Sequence, residues 1–236
     1  MGALDLGIFL FPLLAIALGF KHAYDADHLL AVSNFLTRSR GFRETSGMTM
    51  SWAVGHMLTA VAIAIFLFVL GTRSRAFIEI LGTFQFVVAV MLIGVGLFGI
   101  LLGARSPLVH EHDHTHYGGK THSHVHTHRL GRMHLHLPLL GVGIVQGLAS
   151  NDELILIFIV GLGLGSLQAL LGAVALFTIG VMLGMILFGF VMTSALLSSV
   201  KKTRLQMVIN TFAGSLSIAY GLMIILNLTE FNFIPI

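Results

Sequence analysis

Residues 4–30 read LDLGIFLFPLLAIALGFKHAYDADHLL. An apolar run from Leu4 to Phe20 leads directly into the heptapeptide His22-Ala23-Tyr24-Asp25-Ala26-Asp27-His28. That junction decides how the rest of the chain is read. Its seventeen residues, all apolar or small except Asp5, are close to the roughly 20 that cross a bilayer, yet two imidazoles and two carboxylates follow within seven positions. Ionisable groups are costly in hydrocarbon, so where they occur they face a protein interior or a cation path.

The whole chain supports the membrane reading. Of 236 residues, 56% are hydrophobic and 10% charged, against about 25% charged in a soluble domain. Apolar stretches near 4–20, 48–70, 77–102, 137–164, 167–197 and 205–228 predict an all-α integral membrane protein of six transmembrane helices. The first stretch has no basic n-region or small-residue cleavage site, and it reads as part of the mature fold rather than as a signal peptide. With no cysteine, disulfides, thiolate metal sites and cysteine nucleophiles are excluded.

The net charge of +3 is a topology signal, and nucleic acid is not needed to explain it. Arg38, Arg40, Arg43, Arg105, Lys120, Arg129, Arg132, Lys201, Lys202 and Arg204 fall in loops of one side, and only Arg73 and Arg75 in the loop of the other. The positive-inside rule then puts both termini outside and the long middle loop in the cytoplasm of a multi-pass plasma-membrane protein.

Shifting the chain by 125 residues aligns Asp27-His28-Leu29 with Asp152-Glu153-Leu154. It also aligns Trp52-Ala-Val-Gly-His-Met-Leu58 with Phe177-Thr-Ile-Gly-Val-Met-Leu183. Two repeats of three helices follow, 1–104 and 137–236, separated by a segment over 105–136. An odd number of spans per repeat makes them inverted, with a pseudo-two-fold axis in the membrane plane. Ser150-Asn151-Asp152-Glu153 should therefore face the His22 segment across one site.

On a straight helix, Asp27 lies about 140° and His28 about 240° round from His22, so the three cannot converge on one ion. The helix must unwind near Gly19 to Asp27, or some of the residues must act behind the others. Asp25 is a candidate for orienting an imidazole through its second nitrogen. His56, beside Gly55 in the next apolar helix, is a third intramembrane imidazole. Asn151, Asp152 and Glu153 add oxygen donors, with Gln85 and Asn210 as amides that support the site from other helices. Imidazole and carboxylate without thiolate fit Ni²⁺, Co²⁺ or Zn²⁺. The methionines scatter through apolar helices as gap-fillers.

Ten of the 13 histidines lie in the middle segment: His110, His112, His114, His116, His122, His124, His126, His128, His134 and His136. Alternating histidine in a polar stretch is a compositional metal-binding signal. It predicts a flexible cytoplasmic loop that captures metal beside the pore mouth, with a metallochaperone as its candidate partner.

The pattern His-x4-Asp-His, standing as His22, Asp27 and His28 after Gly19-Phe20-Lys21, resembles the signature of the nickel/cobalt transporter (NiCoT) family. Gly55-His56 resembles that family's later Gly-His pair. The resemblance implies a permease for Ni²⁺ or Co²⁺, usually an importer, with His22, Asp27, His28 and His56 as ligands. The chain departs from the family's longer members in having six predicted spans rather than eight. It also has Ala149-Ser150-Asn151-Asp152-Glu153 where they carry a Gly-Phe-Asp-Thr-type motif.

The expectation is a secondary transporter with no permanent cofactor, its metal ion being cargo and the lipid bilayer its surroundings. It has no phosphate-binding Gly-rich loop with Lys and Ser/Thr, so it would not itself hydrolyse ATP. Its rivals are an efflux protein of the same architecture, a membrane metal sensor or store built on the loop, and a di-iron membrane oxidase.

Overall fold

A computed structural model describes residues 3–39, 41–70, 84–105, 109–115, 121–127, 135–149, 152–199 and 203–228. The helices are α1 (Ala3–His22), α2 (Ala26–Leu36), α3 (Phe42–Leu70), α4 (Gln85–Arg105), α5 (His136–Leu148), α6 (Asp152–Gly163), α7 (Leu167–Ser199) and α8 (Thr203–Ile225). Two strands, β1 (Val109–Thr115) and β2 (Thr121–Thr127), lie between α4 and α5. Arg40, Arg73, Arg75, Lys120, Arg129, Arg132, Lys201 and Lys202, which carry much of the topology reading, lie outside the described residues.

Helix is the expected state of these apolar runs, because in lipid each segment must satisfy its own backbone groups. The surface fits that solvent. Leu13, Val69, Phe86, Phe190, Val191 and Phe212 are each more than half exposed, a greasy exterior that a monomeric soluble protein rarely shows. The protein is a helical membrane protein.

Among the described residues, three helices are long and apolar enough to cross a membrane: α3, most of α7 and Met207–Ile225 of α8. The α5–α6 pair, bent by 65°, makes a fourth if it is one span. Six uninterrupted spans are therefore not seen. The run expected over 137–164 is cut between α5 and α6, and the described apolar lengths near the first and third runs are short, Leu10–His22 and Gln85–Leu101.

The first helix ends at His22, within the segment expected to unwind. Tyr24 N–H bonds Lys21 O at 2.9 Å and Asp25 N–H bonds His22 O at 3.1 Å, closing a tight turn. Asp25, extended at φ −61° and ψ 142°, then starts α2. The break falls inside the heptapeptide, where a straight helix would have scattered the ionisable groups.

Element bounds match at the 125-residue offset. α3 starts at Phe42 and α7 at Leu167, while the α1–α2 and α5–α6 breaks correspond to within about a residue. The packing matches as well. A Cβ on Gly180 of α7 would run into the Ile16 carbonyl of α1, and a Cβ on Gly55 of α3 would run into the Leu140 carbonyl of α5. Gly19 meets the Phe177 carbonyl and Gly143 the Trp52 carbonyl. α4 and α8 approach in the same way at Gly96 and Gly214, with Ser217 Oγ donating to Leu92 O at 2.9 Å. Small residues that let backbones touch are a common means of helix association in a membrane.

Between α4 and α5 the structure differs from the flexible loop expected over 105–136. β1 and β2 pair antiparallel from Val109↔Thr127 to Thr115↔Thr121. The alternation of His with Thr, Val and acids has the period of a strand, and Gly118-Gly119 in the intervening sequence is a turn signal. His136, assigned to that loop, instead opens α5, where its Nδ1 lies 3.2 Å from Ser51 Oγ.

Gly55→Leu and Gly180→Leu should each lower the thermal unfolding temperature in detergent by overpacking a backbone seam, an effect of about 1–3 kcal/mol or more. Gly94→Leu, where nothing lies within 4 Å of the added Cβ, should leave it nearly unchanged. Circular dichroism melts of the three variants make the comparison.

Candidate metal centre

Three elements bring three imidazoles to one point. His22 is the last residue of α1, His28 lies in the first turn of α2, and His56 sits in the middle of α3. His28 Nε2 lies 3.1 Å from His22 Nε2, which lies 3.3 Å from His56 Nε2. The rings are at most 3% exposed. His22 and His28 meet edge to face at 90° with centroids 4.7 Å apart and their Nε2 atoms in close approach.

The spacing suits a metal. Nitrogens held at about 2.1 Å from one ion stand roughly 3.0 Å apart at octahedral angles and 3.4 Å apart at tetrahedral ones. The two observed separations fall between those limits. Without an ion, one nitrogen of each close pair must carry the hydrogen, and a dication entering the centre takes that hydrogen's place.

Carboxylates stand behind two of the rings. Asp27 Oδ2 is 3.0 Å from His28 Nδ1, and Asp25 Oδ2 is 2.9 Å from His22 Nδ1. Both contacts are in reach but off line, so neither Nδ1 has a formed hydrogen bond. Such partners orient an imidazole and raise its basicity toward a metal. Asp27, expected as a ligand, thus meets His28 at Nδ1 rather than at Nε2, and with Asp25 and His28 it forms another group of potential ligand atoms. The tight turn causes this, because it puts Asp27 and His28 side by side at the start of a new helix.

Glu153 of α6 pairs through Oε1 with Lys21 and places Oε2 3.8 Å from His22 Nδ1. With Asp25 it forms a second group of potential ligand atoms around that nitrogen. Asp25 and Glu153 are only partly buried, so acidic oxygen lies between the enclosed imidazoles and the exterior. Asp152 opens α6, and Asn151 lies outside the described residues. Gln85 is exposed at the start of α4 and Asn210 is half-buried in α8. Neither touches the histidines in any described contact. His110, His112, His114, His122, His124 and His126 belong to the hairpin, and His116, His128 and His134 lie outside the described residues.

Sequence reasoning missed two members of the site. Gln146 of α5 is fully buried and donates from Nε2 to the Asp27 carbonyl oxygen at 2.8 Å, with Asp27 Oδ2 at 3.4 Å. Its Oε1 accepts the indole N–H of Trp52 at 2.6 Å. Trp52 in turn lies against His28, with ring centroids 4.9 Å apart. Both carried a signal. Gln146 is the one amide in the apolar run 137–148, and Trp52, the only tryptophan, precedes His56 by one helical turn.

The chain is 25% identical over 215 residues to the urease accessory protein UreH of Bacillus sp. (strain TB-90), covering 91% of this chain and 90% of that protein. No protein-family model matches the chain, and no solved structure matches it significantly.

Because Trp52 is the sole tryptophan, it reports on the centre. Paramagnetic Ni²⁺ or Co²⁺ should quench its fluorescence, and His28→Ala should abolish the quenching. Gln146→Leu should retain quenching but weaken apparent affinity about 10–100-fold, the usual cost of losing a group that orients a ligand. Fluorescence titration of the three proteins in detergent reads each effect.

Proposed function

We propose that the protein is a permease for divalent transition-metal cations, Ni²⁺ first and Co²⁺ second, acting in uptake across the plasma membrane. The observation that carries the reading is the convergence of His22, His28 and His56 through Nε2 in a buried pocket of a helical membrane protein. A buried three-imidazole centre has little use in packing, since each ring displaces apolar contacts. As a ligand set it fits a borderline dication and disfavours Mg²⁺ and Ca²⁺, which want oxygen alone. The resemblance of His22, Asp27 and His28 to the nickel/cobalt transporter signature points the same way, as does the likeness to a protein named as a urease accessory protein.

In this reading the ion loses its water stepwise. It meets the partly exposed carboxylates of Asp25 and Glu153, then exchanges water for imidazole nitrogen. Asp27 and Asp25 balance the charge from behind the rings. Release requires the nitrogens to separate, which a rocking of helices about the site would accomplish.

The six-span architecture with inverted repeats belongs to the same proposal. Matched element bounds, matched glycine seams and a helix broken at the same place in each half support it. The break in the first half carries the ligands, and the break in the second carries Glu153.

Uptake of ⁶³Ni²⁺ into proteoliposomes tests the permease directly. His22→Ala, His28→Ala and His56→Ala should each reduce uptake to the protein-free background, Asp27→Asn should slow it about 10–100-fold, and excess cobalt should compete better than magnesium. Full uptake by His28→Ala would rule the site out.

A further inference from the structure

The hairpin between α4 and α5 carries a second arrangement of histidines, separate from the buried centre. In its antiparallel register His110 pairs with His126, His112 with His124 and His114 with His122. Successive strand residues alternate between faces, and directly opposite residues share a face. All six histidine positions therefore lie on one face, and Glu111, Asp113, Ser123 and Val125 on the other.

We infer that this hairpin is a ladder of three two-imidazole sites for a borderline divalent cation such as Ni²⁺, one ion to each cross-strand pair. Opposed positions in an antiparallel pair have Cβ atoms about 4.5–5.5 Å apart, a separation from which two imidazoles can close on one ion. Neighbouring rungs are two residues apart, about 6.8 Å along the strand, so each pair can hold its own ion. The remaining coordination positions, filled by water, leave the ion exchangeable. Binding also steadies the hairpin, because a two-stranded sheet is marginally stable alone in water and each bridging ion ties one strand to the other. The ladder is a multi-ion reservoir whose capacity is set by register rather than by the number of histidines. It stands whether or not the buried centre transports.

Register gives the test. Full-length protein, purified without a polyhistidine tag, is dialysed to equilibrium against Ni²⁺, and bound metal is compared with a variant in which all six histidines are asparagine. The buried centre and the other histidines are common to every sample and cancel. Wild type should bind three more ions than the reference. His112→Asn with His124→Asn removes one rung and should leave two. His112→Asn with His122→Asn removes the same number of histidines from two rungs and should leave one. Equal losses from the two double variants, or a wild-type excess other than three, would overturn the ladder. Either result is independent of uptake by His28→Ala, which judges the permease.

Discussion

A chain in hydrocarbon has no water with which to complete its backbone hydrogen bonds, so a helix can stop there only where other groups take over. At the end of α1 that condition is met by the turn bonds to the Lys21 and His22 carbonyls, and one side chain from elsewhere, Gln146, fixes the first turn of α2 by donating to the Asp27 carbonyl. Everything about the centre depends on this interruption. It turns the α2 segment away from α1, brings His28 beside His22, and sets a carboxylate next to each ring. Gln146 comes from α5 and is itself held by Trp52 of α3, so four helices contribute to the shape of a seven-residue segment.

The class of the fold was legible because hydropathy is a local property. So was the need for a break, since the angular positions of His22, Asp27 and His28 on a regular helix are incompatible with a shared ion. The grouping of His22, His28 and His56 could be suspected from residue type. Which of the neighbouring acids faces the ring nitrogens and which stands behind them could not, because that follows from the pitch of a turn only three residues long. Asp27 shows the difference: its place in the motif suggests a ligand beside His28, and in space its carboxylate meets Nδ1 of that ring while Nε2 faces the other imidazoles. Gln146 escaped for another reason. Its role depends on α5 lying parallel to α3 with backbones in contact, a long-range fact with only weak local signs.

The middle segment shows the opposite error. Polar composition suggested an unstructured linker, while the alternation that made the histidines conspicuous is also the period of a strand. A metal-binding composition and a strand pattern coincide in these residues. Hydropathy likewise runs on through a break that polar side chains stabilise, so the run over 137–164 reads as one stretch where the structure has two helices bent by 65°.

The glycine seams have a mechanical consequence. α1 is locked backbone to backbone with α7, and α3 with α5, so the solid parts of this molecule are cross-paired and do not follow the order of the chain. Each block takes one helix from each half of the polypeptide, as fingers of two clasped hands belong to different arms. His22 rides on the first block and His56 on the second, with His28 on the short link beside them. A slip of the blocks by a fraction of an ångström therefore changes the nitrogen spacing directly. In the proposed permease the centre would act as a caliper, with the grip on an ion and the relative position of the two blocks as one variable.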